Sequence, residues 1–122
     1  MEAKPIKSVE DLEVYKKAVK LFDHFVSDDL PLLEKTFVGR TLANNQLRCL
    51  DSICANTEEG FERNFGKEAK HFFRIAKGST GESRGRYKRL HSVLPETVII
   101  KRTESLNEIR AMLASLINKW QS

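Results

Sequence analysis

The chain has 122 residues, 40% of them apolar and 31% charged, and its formal net charge is +4. These values suit one domain, residues 1–122, with one modest core, and they exclude a disordered chain and a multidomain enzyme. No apolar run approaches the ~20 residues that span a bilayer, and Met1 to Ser8 contain no apolar signal segment. We therefore expect a cytoplasmic protein that makes no membrane contact. Cys49 and Cys54 do not form a CxxC metal or redox pair, so we expect reduced thiols.

The first predicted helix begins near Ser8, which forms a near capping box with Asp11, and ends at the Asp28-Asp29-Leu30-Pro31 sequence. Two apolar stripes lie side by side on this helix. The first stripe contains Leu12, Tyr15, Val19, Phe22 and Val26. The second contains Val14, Ala18, Leu21 and Phe25. One stripe is enough for the core of a single chain, so the second predicts either contact with a neighbouring subunit or deep burial in the chain's own bundle.

The second predicted helix runs from about Lys35 to Arg63 and combines an apolar face with a set of polar residues. The apolar face contains Ala43, Leu47, Leu50, Ile53, Cys54 and Phe61. The polar set contains Gln46, Arg48, Ser52, Asn56, Glu59 and Arg63. These polar side chains form either a buried network between helices or subunits, or a binding site. We favour the structural role, because buried polar and charged groups must be paired to be tolerated.

The third predicted helix, from about Lys67 to Leu90, has an apolar face and a basic face that is rich in glycine. Residues 61–90 carry a net charge of +6, whereas residues 1–60 carry −3 and residues 91–122 carry +1. The apolar face contains Phe72, Phe73, Ile75, Ala76, Ser79, Tyr87 and Leu90. The basic face contains Lys67, Lys70, Arg74, Lys77, Arg84 and Lys88.

Gly78, Gly81 and Gly85 lie on this same outer face. Glycine inside a helix costs about 1 kcal/mol relative to alanine, so three of them on one side need a reason. We consider three: close contact with a second copy of the chain, close approach of a phosphate backbone, or simple loosening of the helix. Clustered Lys and Arg on one helix are typical of nucleic-acid binding.

The fourth predicted helix starts near Ser105, with Glu108 completing a capping box. Its apolar seam contains Leu106, Ile109, Leu113, Leu116, Ile117 and Trp120. Val98-Ile99-Ile100 precedes it as an apolar connector, since a single short strand would have no partner. The predicted fold is therefore all-α, an antiparallel up-down four-helix bundle.

No motif in the sequence predicts catalysis, a metal site or a cofactor. Glu68-Ala69-Lys70-His71 matches the Glu-x-x-His spacing of di-iron bundles once, and a second such pair is missing. The segment from Gly78 to Gly85 lacks the GxxxxGK[ST] order of a phosphate-binding loop. We expect a protein that is not an enzyme and has no small-molecule substrate.

Several motifs resemble the four-helix-bundle proteins encoded in bacterial 23S rRNA intervening sequences. They are Gln46-Leu47-Arg48, Ser52-Ile53, Ala55-Asn56, Glu59-Gly60-Phe61 with Arg63, Lys67-Glu68, Ile75-Ala76, Gly78-Ser79, and the first-helix run Leu12-Glu13-Val14-Tyr15. The resemblance covers nearly the whole chain. Cys49, Cys54, Thr57 and Glu62 depart from it, since the family often has Arg, Pro, an aliphatic residue and Gly there.

The resemblance implies a cytosolic homopentamer with no established enzymatic activity. It also implies similarity to the accessory subunit of diversity-generating retroelements, a basic pentamer that works with a reverse transcriptase and nucleic acid. Together with the basic third helix, this leads us to expect a homo-oligomer that binds RNA or a nucleoprotein. The alternative is a protein-binding scaffold with no nucleic-acid ligand.

Overall fold

A computed structural model of the chain describes residues 5–63 and 66–120. A short 3-10 turn, Val9–Asp11, precedes α1 (Glu13–His24), a π-helical turn (Phe25–Asp29) and α2 (Leu30–Leu33). Three long helices follow: α3 (Phe37–Arg63), α4 (Gly66–Arg89) and α5 (Glu96–Lys119). Because α1, the π turn and α2 are continuous, they form the first of four helical rods. The predicted all-α four-helix bundle is confirmed.

The four rods surround one main core. α1 packs against α3 and α5, α3 packs against α4, and α4 packs against α5. Near the π turn the rings of Phe25 and Tyr87 meet edge to face, with centroids 6.5 Å apart. A second, smaller cluster forms around Phe73, whose ring centroid lies 4.9 Å from that of Trp120. Among the described residues, no helix is both long and apolar enough to cross a membrane.

The predicted end of the first helix at residues 28–31 is wrong, because the rod continues to Leu33. Pro31 has no N–H and its ring would clash with the carbonyl four residues earlier in a regular α-helix. The chain widens into a π turn just before it, where the N–H of Leu30 donates to the carbonyl of Phe25, five residues back. The proline is thus accommodated by a local change of helix type and does not end the rod.

The π turn places Asp29 in the core, where it is fully buried. Its Oδ2 accepts hydrogen bonds from the Tyr87 hydroxyl at 2.7 Å and from Arg102 Nε at 2.9 Å, and its Oδ1 accepts one from Arg102 Nη2 at 3.0 Å. The bond to Asp29 raises the pKa of Arg102, and burial raises the pKa of Tyr87. The carboxylate is therefore paired with a permanently charged guanidinium and a neutral phenol.

The first rod also begins differently from the prediction. Ser8 precedes a 3-10 turn, and α1 itself starts only at Glu13. The carboxylate of Asp11 accepts the backbone N–H groups of Lys7 and Ser8 at 2.8 and 3.1 Å. The predicted link between Ser8 and Asp11 is thus present, but it closes a separate turn ahead of the helix.

The second apolar stripe of the first rod lies in the chain's own core. Val14, Ala18, Leu21 and Phe25 are all buried within the single chain. The expectation that these four side chains contact a neighbouring subunit is therefore wrong, and the alternative of deep burial in the bundle is the one the structure matches. The stripe that includes Phe22 and Val26 is the more exposed of the two.

Two glycines of α3 lie where helices approach closely. A side chain at Gly39 would collide with the backbone of Leu33, at the corner where α2 turns into α3. One at Gly60 would collide with the ring of Phe73 on α4. The corner is closed by Thr36, whose Oγ1 accepts the N–H of Gly39 at 2.9 Å, as an N-cap residue does.

The last helix is longer than predicted. It starts at Glu96, so Val98-Ile99-Ile100 lies in its first turns, and Ser105 is an interior position and not a cap. Pro95 supplies the start, because its carbonyl accepts the N–H groups of Val98 and Ile99. On α4, Ile75 is 39% exposed and does not belong to the predicted core face. Ala69, Thr80 and Ser83 are buried there instead.

We predict that Arg102→Met destabilises the protein by about 3–5 kcal/mol, because the buried Asp29 carboxylate loses its charged partner. Tyr87→Phe removes one neutral donor to the charged carboxylate and costs about 1.5–3 kcal/mol. Urea unfolding followed by circular dichroism measures both changes. Lys101→Met, at the neighbouring exposed position, is the matched control and changes stability by less than about 0.5 kcal/mol. Equal losses for Arg102→Met and Lys101→Met would contradict the pairing.

Candidate nucleic-acid interface

A groove of about 640 Å³ runs between α4 and α5 on the outside of the bundle, and we call it the α4–α5 groove. The groove is open where two glycines and an alanine have little or no side chain, and three cationic side chains surround this opening. It is lined by Arg74, Lys77, Gly78, Gly81, Arg110, Ala114, Ile117 and Asn118. Its size lies within the range of about 300–1,000 Å³ that is usual for ligand clefts.

The two glycines keep the groove open. A Cβ built at Gly78 or at Gly81 would have no neighbouring atom within 4 Å in residues 5–63 and 66–120. Gly85 differs, since a Cβ there would lie 3.3 Å from Nη1 of Arg89. α4 is continuous through all three positions, so these glycines neither end nor interrupt the helix. Of the reasons considered from the sequence, close approach by another molecule uses the open space at Gly78 and Gly81, and loosening of the helix stays an alternative.

The lining of the groove is positive. Arg74 and Lys77 come from α4, Arg110 comes from α5, and the lining residues that the structure describes include no carboxylate. Within the described ranges, none of these three cations forms an ion pair. Three like charges converging on a cleft create a positive potential that attracts anions.

A second groove between α1 and α5, of about 310 Å³, makes a useful contrast. It also contains several cations, among them Lys17 and Lys20, but Glu104 and Glu108 line it as well. Lys17 is already paired there with Glu108 at 3.0 Å. The positive charge of this second groove is therefore partly neutralised inside the chain, whereas that of the α4–α5 groove is not.

The structure distributes the six predicted basic residues along one side of α4. Arg74 and Lys77 line the α4–α5 groove. Lys67 and Lys88 are exposed beyond its two ends, and Lys70 and Arg84 are half-buried. By 100° steps the six lie within about 120° of arc, over about 32 Å of helix. We call these six residues the basic face. Nε of Arg84 is buried and has no hydrogen-bond partner among the described residues.

Arg110 is the groove residue that sequence reasoning missed. It is exposed on α5 and lies outside the apolar seam, so the helical pattern marks it only as a surface residue. Which neighbouring helix it faces depends on how α4 and α5 pack, and that information is absent from the pattern of α5 alone. The net charge of residues 91–122 is only +1, so the charge distribution did not point to a cationic binding residue on α5 either.

The opposite side of α4 is held against α3 by polar contacts from the predicted polar set. Nε2 of Gln46 donates to the carbonyl of Ser83 at 3.1 Å, and Oε1 of Gln46 accepts from Nη1 of Arg86 at 3.1 Å. The hydroxyls of Ser52 and Ser79 lie 2.8 Å apart. Nδ2 of Asn56 donates to both the carbonyl and the hydroxyl of Ser52 at 2.9 Å. We call this row of contacts the α3–α4 polar seam.

The rest of the polar set lies on the surface. Glu59 and Arg63 pair with each other at 3.3 Å, and the guanidinium of Arg63 also lies over the Phe72 ring at 5.3 Å. Arg48 is exposed. The set thus divides into an interhelical half that positions α4 and a surface half around the end of α3. It does not converge on one site.

The possible nucleophiles and metal ligands are dispersed. Among the described residues, no three His, Cys, Asp or Glu side chains lie close enough to hold a metal ion. Cys49 lies in the α3–α4 polar seam, where its Sγ donates to the carbonyl of Ser79 at 3.4 Å. Burial raises the pKa of Cys49, and it raises the pKa of Cys54 to about 12. Both thiols are thus held in the protonated, unreactive form at neutral pH.

We predict that a Cys49→Ser variant, which retains only Cys54, reacts with a disulfide reagent at pH 8 more than about 100-fold more slowly when folded than when unfolded in urea. The thiolate is the reacting species, and a pKa of about 12 leaves very little of it in the folded protein. Absorbance of the released thiol follows the reaction. Prompt modification of one equivalent in the folded variant would show that Cys54 is accessible and ionised.

Comparison with known proteins connects this geometry to a family. The profile described as 23S rRNA-intervening sequence protein matches residues 10–115, a range that includes the first rod, α3, α4 and most of α5. No curated protein and no solved structure is significantly similar to the chain. The match spans both helices of the groove and the α3–α4 polar seam, and the chain belongs to the 23S rRNA-intervening sequence protein family.

Proposed function

We propose that this chain is a bacterial cytoplasmic protein that self-assembles, has no enzymatic activity, and binds RNA or a nucleoprotein through the basic face of α4. The observation that carries the proposal is the unpaired positive lining of the α4–α5 groove. Phosphate contacts by Lys and Arg supply most of the affinity of non-specific nucleic-acid binding. The family description names the 23S rRNA intervening sequence and names no binding partner.

The fold supports this proposal by the way it orients α4. The α3–α4 polar seam uses Gln46 and Ser52 on one side of the helix, and the basic face lies on the other. Arg86 illustrates the division, since it is engaged by Gln46 and is not part of the basic face. The hydrogen bonds that define the α3–α4 polar seam use Ser79, Ser83 and Arg86 of α4, and none of these three belongs to the basic face.

A protein-binding scaffold is the second candidate function, and exposed apolar side chains favour it. Phe37, the first residue of α3, is 75% exposed, and Val38 beside it is exposed as well. A large aromatic ring with this exposure gains free energy when a partner covers it. On this alternative the basic face is solvated or meets an acidic protein surface. Salt dependence distinguishes the two functions, because only polyanion binding releases condensed counterions.

We predict that the protein binds a fluorescein-labelled single-stranded RNA at about 50 mM salt, and that log affinity falls with log salt with a slope near about −2, as three phosphate contacts require. Fluorescence anisotropy measures both quantities. The triple variant Lys70→Glu, Arg74→Glu and Lys77→Glu reverses the charge of the groove side of α4 and lowers affinity by at least about 100-fold.

The matched control reverses three exposed cations elsewhere, Lys7→Glu, Lys35→Glu and Lys119→Glu, with the same change in net charge. It retains most of the affinity if binding is local to the basic face. Both triple variants are expected to keep the fold and mass of the parent, which circular dichroism and light scattering measure. Absence of RNA and DNA binding by the parent protein at low salt would reject the proposal and leave the scaffold function.

We also predict that light scattering gives the protein a mass of about five times the 14.0 kDa chain, the pentamer that the family resemblance implies. Phe37→Asp lowers this mass if the exposed ring contributes to assembly. The substitution suits the fold, because an acidic side chain in the first turn of a helix interacts favourably with its dipole. Ile6→Asp, at an exposed apolar position outside the helices, is the control. A single-chain mass at every concentration would contradict self-assembly.

A further inference from the structure

We infer that the α4–α5 groove binds one strand of RNA by its phosphodiester backbone, and that Arg110 of α5 is a phosphate contact of equal standing with Arg74 and Lys77. The inference rests on the proposed function and goes beyond it, since it names the element that binds, the form of nucleic acid, and a residue outside the basic face. It starts from the two helices that supply the positive charge. A binding surface made by α4 alone would not use α5.

The shape of the groove favours a strand over a duplex. Axes of packed helices lie about 8–10 Å apart, so a groove between two neighbours has room for one extended chain and not for a double helix. Gly78 and Gly81 provide that room, because side chains there would project into open space. The strand can approach the backbone of α4 closely at these two positions, where cationic side chains flank it on both sides.

The chemistry of the lining favours the backbone over the bases. Among the described residues, no aromatic side chain lines the groove, so the stacking platforms typical of base-binding surfaces are missing from this lining. The polar lining atoms are two guanidiniums, one ammonium and the Asn118 amide, and three of these four groups are cations. Guanidiniums bind phosphate oxygens in a bidentate manner, and the amide can donate to a phosphate or a 2′-hydroxyl. We therefore expect little sequence preference.

The same lining argues against a second copy of the chain as the occupant. Of the side chains in the described lining, Ala114 and Ile117 are the apolar ones, and Ile117 is already buried within the chain. A helix packed into the groove would remove water from Arg74, Lys77 and Arg110 without a large apolar gain. Desolvating unpaired charges is costly, and a phosphodiester strand supplies the opposite charge that a neutral helix does not.

Arg84 extends the path along α4. It lies three residues beyond Gly81 on the same side of the helix, and its Nε has no partner among the described residues. A strand leaving the groove in this direction would pass Arg84 and then Lys88. The groove is thus one part of a longer track, and we expect the affinity to increase with strand length until the track is filled.

The first experiment tests the charge that α5 contributes. Arg110→Gln is expected to weaken binding of an oligouridylate of about 20 nucleotides by about 5-fold or more, and to reduce the steepness of the salt dependence by about one phosphate contact. Lys119→Gln is the matched control, because Lys119 is exposed on the same helix and does not line the groove. It is expected to change the affinity by less than about 2-fold.

The second experiment fills the groove without changing its charge. Gly81→Leu is expected to lower affinity for the oligouridylate by at least about 10-fold, whereas its thermal midpoint equals or exceeds that of the parent, because glycine is the poorer helix former. Gly81→Ala, with a smaller side chain, is expected to have the smaller effect on affinity. Ala55→Leu, on the exposed face of α3, adds a similar apolar side chain elsewhere and is expected to bind as the parent does.

The outcomes separate this inference from the proposed function. If the parent binds RNA but Arg110→Gln and Gly81→Leu bind equally well, the groove is not the binding element and the proposed function stands. If a duplex RNA of the same length binds with equal affinity and the same sensitivity to Gly81→Leu, the single-strand assignment is overturned. If Gly81→Leu lowers the oligomer mass and leaves RNA affinity unchanged, the groove is a subunit interface. If the parent binds no RNA, both fail together.

Discussion

The carboxylate of Asp29 lies where three of the four rods meet, and the arrangement of the bundle depends on it. It belongs to the first rod, accepts a hydrogen bond from Tyr87 on α4, and forms a two-point contact with Arg102 on α5. A buried charge of this kind is tolerated only when its partners are in place. The apolar contacts of the core favour any compact packing of the helices, whereas this contact favours one alignment of the first rod with α4 and α5. That alignment also determines the shape of the groove between α4 and α5.

The α3–α4 polar seam performs a related task on the other side of α4. Apolar faces alone would allow α4 to rotate by some tens of degrees about its axis at modest cost. Hydrogen bonds from Gln46 and Ser52 fix the rotation, because each needs one particular partner on α4. With the inner side fixed, Arg74 and Lys77 are directed toward α5, where Arg110 meets them. The interior polar contacts thus determine where the exterior positive charge is concentrated.

Helical periodicity predicted the fold class and most of the core, but it failed at particular residues for physical reasons. Asp29 and Pro31 indicated a break because a sequence pattern cannot distinguish a chain that turns from a helix that widens by one residue. Val98, Ile99 and Ile100 have the composition of a short strand, and because a single strand would have no partner they were predicted as a connector, although Pro95 begins α5 just before them. The sequence pattern placed Arg74, Lys77, Gly78 and Gly81 on one outer face of α4, which is the α4 side of the groove. The position of Arg110 in the groove could not be predicted in this way, because the residues that face it belong to a helix about thirty residues earlier in the chain.

The π turn has a consequence for how the first rod tolerates insertions and deletions. Phe25, Asp29 and Leu33 are buried at successive intervals of four residues, a spacing that drifts by about 40° per step around a regular α-helix. The wider turn cancels this drift by holding one additional residue. The number of residues between Phe25 and Leu33 is therefore fixed, even though Val26, Ser27 and Asp28 are exposed and their side chains face solvent. Between Phe25 and Leu33, a change in the number of residues is therefore expected to disturb the core more than a substitution of one of the exposed residues.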